Sequence, residues 1–544
     1  MKPTVRYMLI LIVAIALLLR LWDITNVPPG VNRDEASIGI TAYSLMTTGK
    51  DEYGRTLPIS FESFGDWKLP LYIYTTIPFI TLFGLTELAV RLPSVLAGVG
   101  SVAAVFFLAR MLFASERIAL LAAFSLAIMP WHVHISRVES EAIVSVFFTL
   151  IGSVQFLRGI RTKSATSLIA SAILFGLTYW TYHGTHVSTT LLLLGMAAIF
   201  WKDIVKVPRF GIAVLIGAIV TFTILGATFQ ADHTKISGIS IFGDPTVIHN
   251  DIELPRLVHD TPDSLAVKLL HNKFTYAVVR IAHNYLASYG PEFLFIKGGG
   301  NRAHNIEGYG NLHIIEAPLL LLGVAVLIGL LRKKEAKFIL WWIAVGGVAA
   351  SITKDAPHSN RMLAVVPSLA VTAALGGNFL LDLVPRPGKK LMMSGIIIGY
   401  LLCMAIYLDL YFVHFKKTEA MHWGYGYKKL TALLFAPEHM GKRVIMTKPE
   451  TSPYSYILFY SAYSPADYQK TATRYPISSD GFTDVSGFGR FSFRAIDWQK
   501  DITQKNTLLV VAPDEFPQGL AGKTTATITL PDGSVQFIVL DLDK

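Results

Sequence analysis

With 544 residues, 52% of them hydrophobic and 16% charged, the chain is too apolar for an ordinary soluble domain. Its apolar residues come in blocks and its mean hydropathy is +0.47, the pattern of an integral membrane protein with many spans. The net charge of +10 does not point to nucleic acid, because Lys and Arg stand at the ends of apolar runs instead of along one face. The single cysteine, Cys403, lies within an apolar run and leaves neither a disulfide framework nor a Cys-based metal site.

Lys2 to Arg6 precede apolar Tyr7 to Trp22 without a small-x-small cleavage site, so this start reads as a retained first helix. The connection 23–87 follows, with two acid-plus-base clusters, Arg33-Asp34-Glu35 and Asp66-Trp67-Lys68. Within it, 36–48 begins after an acidic pair suited to a helix N-terminus. Residues 69–84 are apolar enough for a span, but counting them would put Arg33-Asp34-Glu35 on the side of the basic connections. They are read as a helix lying in the outer interface. Further apolar runs at roughly 88–112, 118–132, 141–157, 167–182, 187–201, 211–228, 312–331, 338–352, 362–384 and 391–413 give about eleven spans with the first.

Short basic connections occupy every second position: Lys2/Arg6, Arg110/Arg117, Arg158/Arg161/Lys163, Lys202/Lys206/Arg209, Arg332/Lys333/Lys334/Lys337 and Arg386/Lys389/Lys390. Each is expected in the cytoplasm together with the N-terminus. The outward connections are then 23–87, 133–140, the His183 to His186 turn, 229–311, 353–361 and everything after about 414. The membrane domain is expected over 1–413. Beyond it the composition turns soluble, with strands expected at 444–446, 456–460, 508–511, 525–530 and 535–540 and a hairpin turn at Pro531-Asp532-Gly533. Residues 414–544 therefore read as a small extracytoplasmic α/β domain.

Acids that can accept a proton and cations that can hold a phosphate arrive from most of the outward connections. They are Asp34, Glu35, Asp66, Lys68, Arg137, Glu141, Arg302, His304, His358 and Arg361. Each has an ordinary reading too. Asp34-Glu35 suits any helix start, Trp131 to Arg137 an aromatic belt, and His183/His186 a solvated turn. Gly298 to Gly300 serve either a flexible turn or a close backbone approach to phosphate. Lys354 to Arg361 make either an orienting salt pair or a phosphate clamp. Glu141, opening an apolar run, should face a bundle interior, paired with Arg137 or holding a metal.

Over about residues 1–413 these motifs resemble the polytopic glycosyltransferases of the GT-C fold, specifically bacterial relatives of protein O-mannosyltransferases and of the aminoarabinose transferase that modifies lipid A. Arg33-Asp34-Glu35-Ala36 is similar to the acidic motif of that family's first outward loop, and Lys68-Leu69-Pro70-Leu71-Tyr72 to its Lys-Pro-Pro-Leu-Tyr element, with Leu69 for the first Pro. Arg91-Leu92-Pro93-Ser94, His134 to Glu141, Pro291 to Phe295 with Arg302 and His304, and His358 to Pro367 resemble further blocks. Trp67 stands where the aminoarabinose branch carries an acid, which moves any metal role to Asp66. The C-terminal domain resembles nothing assigned.

The resemblance implies that an acceptor hydroxyl on a protein, lipid or envelope glycan attacks a polyprenyl-phosphate-linked sugar with inversion, at the outer face of the inner membrane. Asp34 would be the base, with Glu35 beside it, and Lys68, Arg302, His304, His358 and Arg361 would bind the donor phosphate. Asp66, Arg137 and Glu141 would support them, Asp66 and Glu141 being the candidates for Mg2+ or Mn2+. The competing readings are a lipid or sugar transporter, which should carry charges at mid-span and paired repeats, and a non-catalytic envelope scaffold. No internal repeat is visible, and the charged groups cluster at the outer mouth.

The topology has a direct test. Cysteines introduced at Asp34, Asn301 and Asp514 in a Cys403-free background should react with an impermeant thiol reagent in intact cells, and one at Lys334 only after lysis. Protection of the Asp34 position would place the acidic loop on the wrong side.

Overall fold

In the computed structural model all eleven apolar runs are helical. The structure describes every residue except 245, 448–451, 478–482, 518, 521–523 and 544, and leaves undescribed the side chains of 230–237 and 386. Among the described residues seven helices are long and apolar enough to cross a membrane, at Pro3–Leu21, Glu87–Phe113, Glu141–Thr162, His183–Ile204, Phe210–Phe229, Ser359–Leu383 and Pro387–Thr418. The other four runs form helices of 13, 15, 14 and 13 residues at Glu116–Ile128, Ala165–Tyr179, Glu316–Gly329 and Lys334–Gly346. Glu116–Ile128 is cut short because Pro130 opens the next helix, Pro130–Ile135, and holds Met129 extended. The interface candidate at 69–84 is the 14-residue helix Pro70–Phe83.

The chain divides into two compact units: Met1–Leu21, Ser94–Ser136 and Ser140–Tyr407 in one, Trp22–Pro93, Arg137–Glu139 and Leu408–Lys544 in the other. In the first, Glu316–Gly329 packs on Val366–Leu383. Gly323 and Gly376 permit it: a Cβ at either would run into the facing helix's backbone oxygen, that of Thr372 or Leu319.

The second unit contains a hairpin of β1 (Phe61–Ser63) and β2 (Asp66–Lys68). Phe64 and Gly65 turn it with φ of 44° and 81°, the two positive values a type I′ turn requires. The unit also holds β3 (Arg443–Met446), β4 (Thr473–Arg474), β5 (Val485–Phe488), β6 (Phe491–Phe493), β7 (Thr507–Val511), β8 (Ala526–Thr529) and β9 (Val535–Asp541). These form one seven-stranded sheet in the order β4-β5-β6-β3-β7-β9-β8. β3 runs parallel to β6 and β7, and the remaining pairs are antiparallel. Ile445, Leu509, Val511 and Leu540 form a core on it with Trp498 and Phe516.

The strand expected at 456–460 is instead the helix Pro453–Ser461. Pro453 occupies its first turn and Tyr454 to Phe459 are all buried. A short segment buried on every side has no helical stripe, so its aromatic and β-branched residues imitate a strand.

The 23–87 connection packs on this sheet. The Phe459 ring lies where a Cβ on Gly39 would stand, Val31 N donates to Tyr460 Oη at 3.1 Å, and Gln469 Nε2 donates to Asp51 O at 2.9 Å and Ser44 Oγ at 3.1 Å. Glu52 is buried among these groups, accepting from Ser63 Oγ at 2.5 Å and Tyr454 Oη at 3.4 Å. Burial pushes its carboxyl up to about 7, with Ser63 and then Arg474 pulling the other way and Asp51 adding to the rise. A carboxyl raised in the folded state binds more protons folded than unfolded, so this contribution is complete below its unfolded value of 4.5 and is lost as pH rises through about 7. Glu52→Gln should therefore gain melting temperature relative to the parent between about pH 5 and about pH 8, measured by thermal unfolding of the purified protein. A constant difference across that window would contradict the assignment.

Candidate functional site

Within the sheet-containing unit, Asp34 is set by a capped helix, Arg33–Thr48. Asn32 Oδ1 accepts from Glu35 N at 2.8 Å and Asn32 N donates to Glu35 Oε2 at 3.4 Å, the reciprocal bonds of a capping box. The helix stops at Gly49, whose φ is 69°. Asp34 and Glu35 thus fall in the first turn, where the helix dipole favours negative charge.

The two neighbours diverge completely. The Glu35 side chain is fully buried and meets Arg91 in a two-point pair, Nε to Oε1 at 2.9 Å and Nη2 to Oε2 at 2.8 Å. Glu35 Oε1 also accepts from Glu139 N at 2.8 Å. Arg91 Nη1 donates to Ile24 O at 2.6 Å and Pro28 O at 3.2 Å, and Nη2 to Gly30 O. Every guanidinium N–H is therefore used. Arg137 performs a parallel task, donating through Nη2 to Trp22 O at 2.7 Å and Val27 O at 2.8 Å and through Nε to Tyr411 Oη at 3.3 Å.

The Asp34 side chain is 52% exposed, and its Oδ1 accepts from Lys68 Nζ at 2.9 Å. Lys68 is buried, lies 4.6 Å from the Phe64 ring centroid and 3.6 Å from Asp66 Oδ2. The hairpin delivers it: β1 and β2 pair Phe61 with Lys68 and Ser63 with Asp66. The structure so brings together Asp34, Lys68 and Asp66, an accessible carboxylate and a sequestered ammonium that sequence separates by 34 positions.

In the helical unit a second cluster forms. Gly299 N donates to Asn305 Oδ1 at 2.7 Å, which also accepts from Ser359 Oγ at 2.5 Å. A Cβ on Gly299 would meet Pro357 O at 2.9 Å, so the glycine turn permits close approach of the 355–361 loop. His134 joins the same region through Ala303 O at 2.9 Å, and the His304 and His358 rings lie 5.2 Å apart. Arg361 pairs with Asp355, and His358 Nε2 is 3.8 Å from Asp355 Oδ2. Burial, then Arg361, pushes His358 down to about 4, so the ring is neutral at physiological pH. Tyr182 hydrogen-bonds Arg361 and lies within reach of the charges of Glu141 and Asp355. Arg302 pairs with Glu307 at 2.6 Å on the surface. His186 stacks on Tyr179 at 5.2 Å with its Nε2 3.0 Å from Tyr179 O.

Among the described residues no group of three or more His, Cys, Asp or Glu is arranged to hold a metal ion. Asp34 and Asp66 both approach Lys68 Nζ, which stands where a cation between them would stand. That set does not fit a resident ion, and no step below runs through one.

Sequence reading did not assign Arg91 or Tyr182 roles at a site, and it left Asp355 within a stretch read as either a salt pair or a phosphate clamp. The signal for Arg91 was present: a lone arginine near the start of an apolar helix needs a partner.

Residues 68–226 match the family model described as dolichyl-phosphate-mannose-protein mannosyltransferase. In fold the chain is similar to the apo crystal structure of ArnT from Cupriavidus metallidurans, with TM-score 0.55, 13% identity, and coverage of 98% of this chain and 97% of that one. ArnT from the same organism bound to undecaprenyl phosphate gives TM-score 0.53 at 12% identity, with the same coverage. An apo Archaeoglobus fulgidus oligosaccharyltransferase gives 0.50 at 12% identity, covering 84% of this chain and 64% of that one. No curated protein sequence matches the chain. The chain is thus an integral membrane protein with the GT-C fold and a C-terminal sheet region. Its segment 68–226 carries the match to the mannosyltransferase model, and its fold is the one seen in ArnT.

The buried pair has a stability consequence. Arg91→Leu should destabilise the purified protein by roughly 3–5 kcal/mol by leaving the Glu35 carboxylate unpaired. Thermal unfolding measures it, and a loss below about 1 kcal/mol would contradict an anchoring role.

Proposed function

We propose that this glycosyltransferase moves a sugar from a polyprenyl-phosphate donor to an acceptor hydroxyl at the outer face of the inner membrane, inverting the anomeric carbon. The observation that carries the reading is the half-exposed Asp34 carboxylate, fixed at a capped helix start and held by a buried Lys68. The undecaprenyl phosphate bound by ArnT, which has the same fold, supports the donor class.

Asp34 takes the proton of the attacking hydroxyl as the new glycosidic bond forms, general-base help worth about 10²–10⁴-fold. The bond from the anomeric carbon to the phosphate oxygen breaks on the opposite face, and the lipid phosphate leaves with that electron pair. An ammonium carries three donors, so Lys68 can orient Asp34 and also meet charge on the departing oxygen. Glu35 and Arg137 position the loop. Arg361, with His304 and His358 beside it, and Arg302 are the proposed phosphate contacts of the helical unit.

Asp34→Asn should abolish transfer from radiolabelled polyprenyl-phosphate sugars in a membrane assay while leaving expression and membrane insertion intact. Lys68→Ala and Arg361→Ala should weaken donor use, and Arg361→Lys should not fully restore it, because a planar fork differs from a point charge. Parent-like turnover by the Asn variant removes Asp34 as base. Parent-like donor KM and rate in both alanine variants place the phosphate elsewhere.

A further inference from the structure

Within the helical unit, Lys273–Ser288 is a helix with its polarity reversed. It buries Asn284 and Ser288 and exposes Phe274, Val278, Val279 and Leu286, where a helix packed in water turns its apolar stripe inward. The buried side is hydrogen-bonded: Asn284 Nδ2 donates to Ser351 O at 3.0 Å and Thr353 O at 3.1 Å, and Ser288 Oγ to Asn284 O at 2.7 Å. The short helix Leu265–Leu270 stands just ahead of it. Across the two, Leu265, Leu269, Leu270, Phe274, Val279 and Leu286 are each 60% exposed or more. Single exposed leucines need no explanation, but a run of this kind marks a surface that something covers.

What covers it follows from where the segment is tied. Tyr285 Oη donates to Ala344 O at 2.8 Å and Tyr289 Oη to Ile343 O, at the end of Lys334–Gly346 away from its lysines. Further up the chain, Ile241 N donates to Ile352 O at 3.1 Å and Lys354 N to Ile239 O at 3.0 Å. Ile239 ends the helix Phe210–Ile239, whose Phe210–Phe229 portion is long and apolar enough to cross a membrane and exposes Leu215, Ile219, Phe222 and Phe229. Both attachments therefore lie at one end of apolar membrane helices, and the exposed surface continues theirs. Charge agrees: Ser264 to Gly290 carry Lys268, Lys273 and Arg280 and no acid. Lys268 pairs with Asp263 at 2.9 Å, and helical periodicity puts Lys273 and Arg280 on the side away from Val278. Cations opposite an apolar face are the composition of a helix that lies among phosphate headgroups.

We propose that residues 265–288 lie in the bilayer, at the boundary of headgroups and acyl chains. The exposed leucines and Phe274 enter the chain region, and Lys273 and Arg280 extend their apolar stems to reach the headgroup phosphates. Connection 229–311 is then in part a membrane element, where composition alone assigns it to water.

The test places single cysteines by Leu269→Cys, Phe274→Cys and Leu286→Cys in a Cys403→Ser chain and labels them with the polarity-sensitive dye NBD. All three side chains are exposed, so their loss leaves no core void, and monodisperse elution confirms each fold. The same label at Asp532→Cys, in the exposed hairpin turn of the sheet, is the control. Each protein is reconstituted at one chain per nanodisc, in phosphatidylcholine bearing a nitroxide either near the headgroup or near the chain end. The three labels should emit at shorter wavelength than the control and be quenched several-fold more, most strongly by the nitroxide near the headgroup. Emission and quenching like the control's would leave the segment in water and overturn the proposal. Short-wavelength emission without nitroxide quenching would mean that protein covers the patch, which overturns it too. Stronger quenching from the chain ends would put the segment across the bilayer core and contradict the shallow placement.

Discussion

Two buried guanidinium groups hold the segment on which the proposed chemistry depends. Residues 22–30 have no regular secondary structure of their own, and their carbonyls are collected by Arg91 and Arg137. Arg91 then closes on Glu35, two residues beyond the start of a capped helix. A buried ion pair offsets its desolvation only when geometry is good and the remaining donors are satisfied. Here the fork meets the carboxylate at two points and every other N–H finds a carbonyl. Asp34 inherits that rigidity without being buried by it.

Much of the membrane architecture was legible because bilayer-crossing helices write themselves as long apolar blocks, and all eleven runs are helical. Helix length was less legible. Capping and proline placement set it, as Pro130 does for Glu116–Ile128, and hydropathy averages over such single residues. In the C-terminal sheet, β3, β7, β8 and β9 stand where apolar alternation and the Pro531-Asp532-Gly533 turn put them. β4, β5 and β6, of two to four residues each, are too short to leave a pattern. Pro453–Ser461 failed for the opposite reason, since burial on all sides erases periodicity.

For the candidate site, sequence could nominate residues but not pair them. Lys68 reaches Asp34 only because a Phe64-Gly65 turn folds β2 back, which local spacing does not reveal. Arg361 and Arg302 looked alike as outward cations, yet Arg361 is drawn to Asp355 beside His358 and Tyr182 while Arg302 pairs with Glu307 at the surface. The distinction lies in burial and neighbouring charge.

Three carboxylates show how burial and hydrogen bonding sort identical chemistry. Asp34 and Glu35 are adjacent, and a step of about 100° around the helix axis sends one toward solvent and the other into a saturated network. Glu35, with both oxygens committed, can contribute only position. Asp34, paired with the Lys68 ammonium and half exposed, presents its carboxylate where a hydroxyl can reach it. Glu316 is as buried as Glu35, and the partners that meet it are the hydroxyls of Ser125 and Tyr400 in place of a guanidinium fork.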